Sequence, residues 1–409
     1  MNILLIGNGF DLAHGLPTKY TDFLKFVKVM KDITDKANNI MKNRNSNDNK
    51  GLLSKSELFD SIEWYGNSEA MKECIEKNFL SELAKSKDDY KIEELINNNI
   101  WIDYFLQCDM HGEENWIDFE SEISNVIQSI DRDIKNDIEI YSLYDDLPLI
   151  SNDSMFELVT EKDISCKQLI DRLLKDLDNL IASLEIYLAD YVEKIKIDNL
   201  MTDIKELAPK IDKVVNFNYT HTYENFYPTK KELEVNHLHG EAKVNNSVEE
   251  NNMVLGIDEY LTNDEQRKFI EFIGFKKFYQ RIYKKTGCKY REWTDEIKSE
   301  YNEYLKVEDS VGSIKYLNDE DMINQETKVI LEGKGGKHKL YIFGHSLDIT
   351  DGDVLKDLIL NENVYTTIFY FSREQNGQQI ANLTKVIGED ELIRRTGGKN
   401  RTIEFVKQR

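Results

Sequence analysis

Five short apolar runs, each closed by a glycine or by polar residues, constrain this chain more than any other feature of its sequence. Asn2–Ile6 leads without interruption into Gly7, the pattern of a strand buried on both faces that ends in a tight turn. Residues 213–217, 339–343, 364–371 and 401–406 repeat that pattern. Strands without the alternation of a half-exposed sheet need cover on both sides. The five segments therefore predict one mostly parallel, doubly wound sheet in an α/β fold. From residue 23 to 208 the texture changes to charged residues with apolar positions three and four apart, the mark of helices. Its most regular stretch, from Leu169 through Leu173, Leu177, Leu180, Leu184 and Tyr191 to Ile195, sustains one apolar face, either the core of an insertion or a coiled-coil-like seam between copies. The string MKNRNSNDNKG reads as an exposed loop, and GKGGK at 333–337 as a flexible return into the sheet. The expected organisation is a discontinuous core of residues 1–22, 209–257 and 335–409, a helical insertion at 23–208 and a second, mostly helical insertion at 258–334.

Charge and cysteine usage narrow the classes of partner. Against 76 Asp and Glu stand 53 Lys and Arg, a formal charge of −23. Such a field repels phosphate backbones and anionic headgroups, so direct nucleic-acid binding is not expected. Cys74, Cys108, Cys166 and Cys288 form no C-x-x-C pair, which argues against a disulfide framework or a four-cysteine zinc module and for a reducing cytoplasm. No apolar run reaches the roughly 18 residues of a membrane span, and the chain opens on a strand, so neither export nor a membrane anchor is expected.

Chemistry concentrates where the apolar runs stop. The first ends in Gly7-Asn8-Gly9-Phe10-Asp11, followed by His14-Gly15-Leu16-Pro17: glycines that allow either the close approach of a pyrophosphate or simply a tight strand-to-helix turn. The second ends in Asn216-Phe217-Asn218-Tyr219-Thr220-His221-Thr222-Tyr223-Glu224, where Asn218 offers a carboxamide to a ribose hydroxyl or a water, or else forms the turn. In Asn236-His237-Leu238-His239-Gly240 an extended backbone puts His237 and His239 on one face, one to act and the other to support. The fourth cluster is Gly344-His345-Ser346-Leu347-Asp348. Five of the seven histidines fall within these four clusters, which is how an active site concentrates ionisable groups.

Taken in order, the clusters resemble the sirtuin-like fold. The glycine turn from Gly7 to Gly15 with its Leu-Pro resembles G-A-G-x-S-x-x-x-G-I-P, the Asn218 segment resembles T-x-N-[IY]-D, His239-Gly240 matches a later His-Gly, and Gly344-His345-Ser346-Leu347 resembles G-T-S-L. More closely, IGNGFDLAHGLPTKYTDFL, the NWIDFE segment from Asn115 to Glu120, NFNYT, HLHG and IFGHSLDITD are similar to the bacterial abortive-infection AbiH family over nearly the whole chain. The resemblance implies an NAD site. Gly7, Asn8, Gly9 and Asp11 would surround the diphosphate, Gly15 and Pro17 would shape the adjoining loop, and Gly344 and Ser346 would hold the adenosine ribose. Tyr219, His237 and His345 would complete the cofactor-binding set. Asn218 would place the nicotinamide ribose and a water, and His239 would be the general base. Asp11 departs from the family's Ser, His345 from its Thr and Thr220 from its Asp, which puts the ribose contacts in question.

The paired zinc-binding cysteines of the protein deacylases are missing from this sequence. The resemblance then implies hydrolysis of NAD to nicotinamide and ADP-ribose in antiphage defence, without a metal. An enzyme that depletes a central cofactor must be silent in healthy cells, so control by homo-oligomerisation, by the insertions or by a phage-derived trigger is expected. Two other classes use the same residues. A catalytically silent nucleotide sensor or partner-binding scaffold would keep the pocket alone. A metal-dependent phosphoesterase would draw on Asp11, His14, Asn218, His237, His239 and His345, but G-D-x-x-D and G-N-H-[DE] are absent. Trp116 either walls the pocket or packs in the insertion, and His14 and His221 are supporting groups at most.

Overall fold

The computed structural model describes residues 1–44, 55–83, 92–111, 118–135, 166–228, 232–244, 246–257, 272–316, 337–399 and 401–409. MKNRNSNDNKG for the most part, Trp116 and nearly all of GKGGK lie outside them. Six strands, β1 (Asn2–Ile6), β2 (Lys213–Asn216), β3 (Glu234–His237), β4 (His338–Phe343), β5 (Val364–Tyr370) and β6 (Ile403–Lys407), pair in parallel in the order β3-β2-β1-β4-β5-β6. Five are the apolar runs of the sequence. The sixth, β3, was not among them, because only Asn236 of its four residues is fully buried and the run carries no apolar signal. Tertiary hydrogen bonds hold it instead: the Asn236 carboxamide donates to Gly287 O (2.8 Å) and accepts from Tyr290 N (3.1 Å).

Alternation along each strand builds two separate cores. Ile3, Leu5, Val215, Leu340, Ile342 and Ile368 face one side. There they meet Val354, Leu355, Leu358 and Ile359 of helix Gly352–Ile359 and Leu383 and Val386 of helix Arg373–Ile387. Leu4, Ile6, Val214 and Phe343 face the other, against Phe10, Ile204, Ala208, Tyr223 and Tyr227. Chain direction across the sheet reverses between β1 and β4: β2 and β3 are added on one side of β1, β5 and β6 beyond β4. Such a reversal opens a crevice outside the carboxyl ends of the two central strands.

The chain forms two compact units. The sheet unit comprises Met1–Gly15, Ile197–Leu238 and Gly287–Arg409, and the helical unit Leu16–Lys196 and His239–Thr286. Within the helical unit, helix Cys166–Ile186 buries Leu173, Leu177, Leu180, Ile181 and Leu184, and its apolar face continues through a π-helical turn, Tyr187–Tyr191. That face is core. Asp176 on this helix accepts from Ile100 N (2.9 Å), while Asn99 Oδ1 caps helix Ile100–His111 by accepting from Trp101 N and Ile102 N (both 3.1 Å). No helix among the described residues is long and apolar enough to cross a membrane.

The acidic helix Lys289–Tyr316, expected in a second insertion, buries Tyr290, Trp293 and Ile297 in the core of the sheet unit. Truncating Trp293 removes a large buried ring that Lys213 also caps at 5.5 Å from its centroid. Trp293→Ala is expected to cost about 3–5 kcal/mol in urea unfolding of the sheet unit. Substitution of the exposed Leu305 on the same helix, at 38% exposure, is expected to stay within about 0.5 kcal/mol.

Candidate functional site at the carboxyl edge of the sheet

Strand register aligns the places where the sequence motifs begin. Phe343 pairs with Ile6, Ile6 with Asn216 and Asn216 with His237, so the last residues of β4, β1, β2 and β3 form one row. Gly344, Gly7 and the turn after Asn216 step off that row together. Main-chain bonds carry the alignment one residue further, from Gly7 N to Phe343 O (3.2 Å), Phe217 N to Ile6 O (2.9 Å) and Leu238 N to Asn216 O (2.9 Å).

Between β1 and β4 the two turns lie in direct main-chain contact. Gly9 N donates to Gly344 O at 2.8 Å, and Phe10 N turns back to Gly7 O at 2.8 Å. A Cβ on Gly9 would sit 2.8 Å from Gly344 Cα, and one on Gly344, whose φ is +69°, would sit 2.2 Å from Phe10 N. Packing of one turn on the other thus accounts for Gly9 and Gly344 without any ligand, and the glycines alone are no argument for a phosphate. Asn8 and Ser346 are exposed beside them.

Beyond β2 the chain turns on Asn216. Its buried carboxamide accepts from Asn218 N (2.8 Å) and donates to Thr220 O (3.1 Å). Asn218, 7% exposed, sends Nδ2 to Gly7 O (3.1 Å). That bond fixes the orientation of the amide and makes Oδ1 its acceptor for any ligand. Thr220 Oγ1 donates to Asp11 Oδ2 (2.6 Å), so the carboxylate expected near a diphosphate is 1% exposed and has an internal partner. His237, closing β3, faces Glu224 Oε1 through Nε2 (2.8 Å) and Asn218 O through Nδ1 (3.3 Å). His221 lies beside it, ring centroids 5.0 Å apart. Glu224, on helix Thr222–Phe226, closes the second sequence cluster without a role assigned to it, because a single Glu after Thr-Tyr carries no chemical signal until β2 and β3 pair.

Two other histidines have full structural roles. His14 donates from Nδ1 to Phe10 O (2.7 Å), and its Nε2 accepts from the Tyr227 hydroxyl (2.6 Å), which itself accepts from Met201 N (2.9 Å). Burial lowers the His14 pKa and raises that of Tyr227 to about 12. With both nitrogens committed, His14 is a poor metal ligand. His345 Nδ1 accepts from Leu347 N (2.9 Å), which leaves the proton on Nε2, facing Asp351 at 3.4 Å. Leu347 is held at φ +60°, a strained conformation for a branched residue.

The sheet unit thus gathers Gly7, Asn8, Gly9, Asp11, Asn218, Tyr219, His237, Gly344, His345 and Ser346 at one edge. Gly15 belongs to the same unit, where it ends helix Asn8–Ala13 in a left-handed conformation. Pro17 and His239 belong to the helical unit. Pro17 O accepts from Tyr187 (2.6 Å), and buried His239 accepts at its carbonyl from Val254 N (2.8 Å). β3 stops at His237, so His239 stands in the following turn and the shared strand face expected for the two histidines does not form.

Two outcomes follow from these contacts. Gly344→Ala meets main chain as well as an unfavourable φ and is expected to cost more than about 3 kcal/mol. Gly15→Ala, also at positive φ but in open space, should cost only about 1–2 kcal/mol. Equal losses in denaturant titrations of the two variants would contradict the close packing of the turns. For His14 the folded pKa lies below the unfolded value of about 6.5, so its contribution to stability is complete above that pH and is lost as pH falls through the folded value. Unfolding free energy measured between pH 7.5 and 5 should decline with acidification, and His14→Gln should flatten the decline.

A family model described as bacteriophage abortive infection AbiH matches residues 3–372. Neither a curated protein nor a solved structure matches the chain.

Proposed function

The chain belongs to the bacteriophage abortive infection AbiH family, and from that premise we propose that it acts in abortive infection as an NAD glycohydrolase, with the nucleotide seated at the carboxyl edge of the sheet. One observation carries the reading: at the reversal between β1 and β4, the row Phe343, Ile6, Asn216, His237 delivers a bracketed carboxamide, Asn218, to the edge where open parallel sheets bind ligands. The strand order is also that of the dinucleotide-binding halves of doubly wound folds.

Cleavage of the nicotinamide–ribose bond asks little of a leaving-group acid, because nicotinamide departs neutral from a cationic ring while the ribose becomes oxocarbenium-like. The work left to the protein is placement of water and removal of its proton. Asn218, whose nitrogen is committed to Gly7 O, has Oδ1 to hold the water. The sirtuin-like resemblance assigns the base to His239, and a base of that type contributes about 10² to 10⁴ in rate. Control by oligomerisation or by a phage-derived trigger belongs to the same proposal.

One observation favours a catalytically silent scaffold: Gly7 N, Gly9 N and Phe10 N are bonded within the protein, which leaves fewer amides for a diphosphate. Incubation of purified protein with NAD, followed by product separation, decides between them. Release of nicotinamide and ADP-ribose in the presence of a strong chelator, falling at least about a hundredfold in His239→Ala, is the expected result. Intact NAD with and without an extract of phage-infected cells, and no nucleotide binding, would overturn the reading.

A further inference from the structure

We infer that Glu224 and His237 act as a positioning pair for Asn218. The inference rests on the reading that Asn218 holds the attacking water. Asn218 is tied at its amide by Asn216 (2.8 Å) and at its carboxamide by Gly7 O (3.1 Å). Its carbonyl is reached by His237 Nδ1 at 3.3 Å, and this third tie comes from a different strand. The imidazole does not stand alone: Glu224 Oε1, 2.8 Å from Nε2, sets the plane of the ring. Side-chain exposures of 11% for His237 and 23% for Glu224 keep both near the edge yet largely shielded from water.

Both ring nitrogens face oxygen acceptors, and an imidazole that donates to both carries two N–H groups and has no lone pair left for a substrate. His237 is therefore a fixed donor to the Asn218 main chain, and the role of base falls elsewhere. Removing the ring frees the Asn218 carbonyl and lets the turn 217–220 relax. A carboxamide displaced by about 1 Å loses on the order of a hundredfold in turnover without losing substrate affinity. The pair works as a unit, because Glu224 reaches Asn218 only through the ring.

The test combines turnover of NAD with NMR of protein labelled with ¹⁵N at asparagine, on wild type, Glu224→Gln, Glu224→Ala, His237→Ala and the double alanine variant. Asn218→Ala identifies the side-chain resonance. Expected are a shifted Asn218 NH₂ resonance and faster hydrogen exchange in His237→Ala and Glu224→Ala. Expected too are a fall in kcat of about 10- to 100-fold with KM within about twofold, and a double variant no worse than His237→Ala. Glu224→Gln, which retains an acceptor for Nε2, should recover most of the turnover and verifies a folded chain. An unmoved Asn218 resonance in folded alanine variants overturns the inference whatever the turnover. A moved resonance in a protein that leaves NAD intact supports the positioning pair and overturns the hydrolysis reading instead.

Discussion

Main chain lies on main chain where the turn after β1 meets the turn after β4, and the carboxyl edge of the sheet is arranged around that contact. The bond from Gly9 N to Gly344 O leaves no room for a side chain on either partner. Because Gly7 O lies in the same turn and accepts from Asn218, a displacement between β1 and β4 is transmitted to the residue on which the chemical proposal depends. The glycines bring the ends of β1 and β4 into main-chain contact, which Asn218 joins on the β1 side through Gly7 O, and this role is independent of whether they also touch a phosphate.

Polar groups around this contact fall into two kinds. Asn216, Asp11 with Thr220, His345 with Leu347 N, and His14 with Tyr227 satisfy one another internally. They are what burial of polar groups demands, since each lost partner costs about 1–3 kcal/mol. Asn218 differs, because its bonds restrain it and still leave an acceptor oxygen for chemistry. A concentration of histidines in a sequence therefore marks where polar groups meet, and only their partners separate support from reaction.

Much of the sheet was legible because parallel strands covered on both faces are rich in apolar residues, as β1 is from Ile3 to Ile6, β2 is at Val214 and Val215, and β4 and β5 are toward their carboxyl ends, whereas β6, with only Ile403 fully buried, keeps a weaker apolar signal. β3 was not, since its residues Glu234 and His237 read as polar and its place is fixed by Asn236 bonding to Gly287 and Tyr290, more than fifty positions away. Helix Lys289–Tyr316 looked like part of an insertion because its buried Tyr290, Trp293 and Ile297 lie in its first turns, whereas residues 298–310 are rich in charge and none of them is buried. At the site, local sequence assigned a role to Asn218 but none to Glu224, and it offered no hint that His14 would be closed off by Tyr227 from 213 residues away. Spacing shows which residues fall at a strand end, whereas pairing across the sheet decides what each one touches.

Hydrogen–deuterium exchange of the full chain with and without saturating NAD tests the central claim most directly, because it reads where a nucleotide acts without requiring turnover. New protection concentrated in residues 7–12, 216–220 and 344–347 is the result this account requires. Protection confined to other segments, with those three unchanged, would contradict it.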